Sequence, residues 1–188
     1  MPNTSTLEEQ IETLKSLGFR FRPSPIDHPS IMSSEWWEYL DPPYTLLMQR
    51  IIFATGWSGD ICEGVFVPHL KHLRYEGWYE AVGKNLAKIS SVDFRVIDIE
   101  TDEAKNHWQM KYQIGKESHD LISNYPHKYA SYVPILEMLP SFATEKMCFY
   151  AYEDPGEQFD GPNLFWLPSS SKSGLKAIFG DYIESFEN

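Results

Sequence analysis

Cysteine is scarce in this chain, with two among 188 residues. That excludes a disulfide framework as the source of stability. No C-x-x-C pair occurs, and no G-x-G-x-x-G or G-x-x-x-x-G-K-[ST] segment is present, so the common phosphate cradles are missing. No run of about 18 apolar residues is found, and a transmembrane helix is not expected. The opening segment MPNTSTLEEQ lacks a basic stretch followed by an apolar one, so no secretory signal is expected. The expected location is therefore cytoplasmic. Basic residues are in short supply: 16 Lys and Arg stand against 27 Asp and Glu, for a net charge of -11. Such a chain repels phosphate, and neither nucleic acid nor an anionic membrane surface is an expected partner.

What is present supports a folded core. Hydrophobic residues make up 42% of the chain, and 188 residues suit one domain, taken here as 1–188. Leu7, Ile11, Leu14 and Leu17 recur at helical spacing, predicting a helix over 6–17. Ser5 with Glu8, or Thr6 with Glu9, offers a capping box, and Gly18 fits the residue after the last turn. Three prolines in residues 23–30 predict a loop without regular structure. A short helical turn is expected over 34–40, stopped by Asp41-Pro42-Pro43. Residues 44–55 are apolar except near Gln49 and Arg50, and periodicity leaves helix and strand pair open. Residues 56–60 read as a turn, and Val65 to Val67 as a strand ending at Pro68.

Tyr75, Trp78, Tyr79, Val82, Leu86 and Ile89 predict a helix over 73–89, in which Gly83 leaves room for a close neighbour. Val92, Phe94 and Val96 alternate with polar residues, then the phase slips at Ile97. A bulge near Val96–Ile97 reconciles the two halves. The partner strand, 107–114, alternates strictly, with Trp108, Met110, Tyr112 and Ile114 on one face. A short helix is expected over 117–123, and another carrying Tyr132, Ile135, Leu136 and Leu139 that stops before Pro140. Lys146 to Tyr152 is apolar on both faces, as a central strand should be. Leu164 to Leu167 reads as a strand, and Leu175, Ile178, Phe179, Tyr182 and Phe186 as one face of a terminal helix. The fold expected is α+β: an antiparallel sheet of about four to six strands packed with N-terminal, central and C-terminal helices.

Chemistry is harder to read. His69 and His72, with Glu76 four residues on, have the spacing of a zinc set with an open position. Their neutral alternative is a pair of surface histidines. Cys62 lacks a flanking nucleophile signature, and Cys148 sits between apolar neighbours as a core residue would. Ser58 is outside any G-x-S-x-G. The acidic stretch 153–160 lacks EF-hand spacing and reads as a solvated loop. No cofactor and no bound metal are expected.

Aromatics are the less ordinary feature, with 11 Phe, 11 Tyr and 6 Trp. Trp36, Trp37 and Tyr39 follow the proline-rich loop in an element too short to bury them all. Trp57 lies in a glycine turn and Phe159 in the acidic loop. Residues 129–188 hold three basic and nine acidic residues. Aromatic anchors beside acids resemble the surfaces of proteins that bind other proteins. The expected function is an acidic protein-binding module, of the kind that masks a basic partner such as a toxin domain. Its expected contact residues are Trp36, Trp37, Trp57, Glu153, Asp154, Glu157 and Asp160. The alternative is a small enzyme or ligand binder with an aromatic-lined pocket, metal-dependent through His69 and His72. A third is a role through self-association.

Overall fold

A computed structural model describes residues 5–22, 25–40, 42–57, 61–68, 77–102, 107–123, 132–155 and 161–187. Among them are six α-helices and nine strands. The strands divide into three antiparallel sheets, so the α+β architecture stands.

The middle of the molecule is a four-stranded sheet in the order β3-β8-β7-β9, built from Val65–Phe66, Asn163–Pro168, Met147–Tyr152 and Ile183–Phe186. Successive side chains on a strand point to opposite faces. Register places Cys148, Tyr150 and Tyr152 beside Leu167, Phe165 and Ile183, while Phe149 and Ala151 lie beside Trp166 and Leu164. The first set joins one hydrophobic core and the second set joins another. That double duty explains why β7 and β8 are apolar at nearly every position.

The first core is capped by helices. Helix α1 (Leu7–Ser16) starts with the Thr6–Glu9 capping box, and Gly18 follows at φ 91. Pro29 opens the short helix α2 (Pro29–Met32), and a 3-10 turn spans Pro25–Asp27. The loop expected from three prolines is thus partly helical, because proline at the first helical position loses no hydrogen bond. A second 3-10 turn covers Trp36–Tyr39. Residues Thr45–Trp57 form one helix, α3, which resolves the open choice and absorbs the first part of the expected 56–60 turn. A two-stranded sheet, β1 (Arg20–Phe21) with β2 (Cys62–Glu63), and helix α6 (Lys172–Phe179) complete this layer.

The second core is built from residues 78–142. Helix α4 (Trp78–Ser90) and helix α5 (Val133–Phe142) pack between the central sheet and a meander of β4 (Phe94–Asp102), β5 (His107–Ile114) and β6 (Glu117–Ser123). The bulge falls between Val96 and Asp98, as the phase slip requires. Gly83 of α4 faces Phe94, and a Cβ there would lie 2.3 Å from the ring.

Three expectations are corrected. Residues 117–123 are a strand, because Gly115 at φ 58 begins a two-residue hairpin loop that returns the chain along β5. Pro140 lies inside α5, in its last turn, where only one backbone bond is forfeited. The terminal helix ends at Phe179: Gly180 takes φ 58 and ψ -127, and the chain turns to pair with β7 as β9.

Candidate functional site

The expected contact residues come from segments far apart in sequence, and α3 draws two of these segments together. Its run is apolar apart from Gln49 and Arg50. Gln49 donates from Nε2 to the Asp154 carboxylate at 3.0 Å, a bond across 105 positions. Arg50 donates from Nη2 to the Ser34 hydroxyl. Phe53 follows one turn later, three and four residues on, which puts it on the same strip. Phe53 is 41% exposed. Trp57 closes the helix one turn beyond.

The segment on the Arg50 side is rigidly held. Tyr39 is only 1% exposed, and its hydroxyl donates to Ile31 O at 2.8 Å. This corrects the expectation that Tyr39 lies off the core: the 3-10 turn rotates it inward, where a backbone carbonyl satisfies the phenol. Burial pushes that phenol above its ordinary value, against smaller pulls from Ser34 and Arg50. The Tyr39 carbonyl accepts from Gln10 Nε2 at 2.6 Å, and Gln10 Oε1 accepts from Tyr44 N–H at 2.8 Å. Gln10 is fully buried and pins the turn to α1. Between these anchors Trp37 is 55% exposed. Glu35 and Glu38, on either side of it, are exposed, and Glu38 accepts from Glu35 N–H at 2.7 Å.

On the other side of the strip, Glu153 is exposed while Asp154 is 8% exposed. Glu153 N–H donates to Tyr182 O at 2.9 Å, which fixes the start of the acidic stretch. Asp154 therefore acts inward, as the acceptor that holds Gln49, and Glu153 carries the outward charge. Glu157 and Asp160 lie outside the described residues, as do Phe159, Ser58, His69, His72 and Glu76. Trp36 and Trp57 have described backbones only.

Among the described residues, no group of three or more His, Cys, Asp or Glu is arranged to hold a metal ion. Both Cys62 and Cys148 are buried thiols. Burial pushes the Cys148 thiol up, away from the thiolate a nucleophile needs. No helix of the described residues is long and apolar enough to cross a membrane.

Sequence reasoning named Trp37, Glu153 and Asp154, and missed Gln49, Arg50 and Phe53. The available signal was two polar residues inside an otherwise apolar run, which on a buried helix mark the side that leaves the core. Comparison of the chain with family models, curated proteins and solved structures returned no match.

Proposed function

We propose that the chain is an acidic protein-binding module that docks a basic protein partner, in the manner of an immunity-type inhibitor masking a toxin domain. The observation that carries this reading is Trp37: an exposed indole on a turn fixed at both ends, with Glu35 and Glu38 beside it. Trp37 leaves more than half of its surface open for a partner to cover. On a rigid turn it loses little further freedom when a partner covers it. The neighbouring carboxylates, together with a net charge of -11, raise the encounter rate with a basic surface and set its orientation. Phe53 and Glu153 extend the same chemistry across the α3 strip.

The test is capture from the source lysate at low and at high salt, with wild type and with Glu35→Lys/Glu38→Lys. A stoichiometric basic protein, bound by wild type and released by salt or by charge reversal, is the expected result. Equal recovery by both forms at both salt concentrations would remove the electrostatic reading.

A further inference from the structure

We infer that Arg50 and Ser34 form a carboxylate-binding site on α3. This goes beyond the proposed function and does not depend on the partner being basic. Arg50 is partly buried, in the middle of an apolar helix. A guanidinium withdrawn from water ordinarily has a carboxylate beside it. The chain has 27 acidic residues. Yet among the described residues the groups that meet Arg50 are two neutral hydroxyls, those of Ser34 and Tyr39. The Tyr39 hydroxyl donates to Ile31 O at 2.8 Å and offers Arg50 only a neutral acceptor. Arg50 Nε is shielded from water and has no acceptor among the described residues. A donor left unfilled in this way calls for an explanation.

A planar, always-charged fork that lacks an anion suits an incoming carboxylate, which it can grip through paired hydrogen bonds. On a chain of net charge -11 a singly charged carboxylate is repelled less than the doubly charged alternative, phosphate. Arg50 as a whole residue is partly exposed, and a carboxylate that reaches Nε must displace the side chains covering that atom. The carboxylate has two sources, a free small acid or an Asp or Glu borne by a protein.

The test follows the arginine Nε–Hε resonances of the ¹⁵N-labelled full chain, with the Arg50 signal assigned by its loss in Arg50→Lys. Acetate, inorganic phosphate and the peptide Ac-Lys-Asp-Lys-NH2 are titrated at constant ionic strength. A saturable shift with acetate, tighter than with phosphate, is expected. If the peptide binds about tenfold tighter than acetate, the site takes a protein-borne carboxylate. Equal affinity assigns it to a free acid. No saturable shift, or tighter binding of phosphate, would overturn the site. Arg50→Leu supplies a second readout: it should raise Tm by about 3 °C, since it removes a charge the fold does not need. A comparable fall would mark Arg50 as structural and overturn the inference.

Discussion

Both faces of the central sheet carry ring contacts, such as Phe19 with Phe165 and Tyr152 with Phe179 on one and Phe149 with Trp166 on the other, and they differ in their polar ties. On the face shared with α1, α2, α3 and α6, polar side chains join segments distant in sequence: Gln10 to Tyr39 and Tyr44, Gln49 to Asp154, and Ser171 to Leu17 O at 2.8 Å. On the other face, residues 78–142 and the side chains of β7 and β8 that face them pack mostly through rings, with the Tyr112 and Ser141 hydroxyls 3.2 Å apart as a polar tie. Tyr79 meets Trp108, Phe94 meets Tyr112 and Phe142, and Phe149 meets Trp166. Ring packing gains stability from area and tolerates adjustment, whereas a buried hydrogen bond is satisfied or lost. A surface that must keep one shape for a partner is better fixed by buried polar ties than by rings that can adjust. Trp37 sits on the clasped side, where each anchor has one geometry.

The largest effect is expected on the ring-packed side. Phe149→Ala removes a fully buried ring lying against Phe142 and Trp166 and should cost about 3–5 kcal/mol in urea unfolding. A cost below about 1 kcal/mol would mean this core is looser than its contacts imply. Gln10→Ala, on the clasped side, strands Tyr39 O and Tyr44 N–H and should cost about 2–3 kcal/mol. The same variant should also blur the backbone amide signals of 36–39, which Phe149→Ala should leave sharp. Gly83→Ala drives a methyl toward the Phe94 ring and should cost about 1–2 kcal/mol, measured the same way.

Alkali should distinguish the two sides by site rather than by size. Burial raises the phenols of Tyr39, Tyr150 and Tyr152 on the clasped face and of Tyr112 on the other. A raised phenol is held neutral by the fold, so its contribution is complete below the ordinary value of 10.0. Above that value the unfolded chain sheds protons the folded one keeps, and stability falls as pH rises. Hydrogen exchange from about pH 10 upward should show α3 and the turn 36–39 opening before the meander. Trp37→Ala should have the smallest effect on stability, about 1 kcal/mol or less, because more than half of the residue is exposed.

Much of the fold was legible because its signals are local. The α1 cap, the strict alternation of β5, the bulge at Val96–Ile97 and the tight approach at Gly83 each follow from a few adjacent residues. The misreadings share another origin. For β6 and β9 the deciding residue is a single glycine turn, Gly115 or Gly180, whose consequence is a pairing with a distant strand. Apolar spacing at 175–186 suits a helix until Gly180 breaks it. The proposed binding surface was legible only as a set of residue types. Trp37 and Glu153 could be named, but their relation runs through Gln49 and Asp154, partners separated by 105 positions. That Asp154 turns inward depends on Gln49 being opposite it, which no local pattern encodes. The same long-range assembly leaves Arg50 with hydroxyls in place of a carboxylate.

The central claim is that the exposed ring on the clasped side serves a partner. Ile122, 47% exposed on β6, is the matched control on the ring-packed side. Trp37→Ala and Ile122→Ala should be compared in capture of the basic partner after both are shown to melt with wild type. Loss of the partner with Trp37→Ala alone is the result expected; equal capture by both variants, or loss with Ile122→Ala alone, would contradict the account.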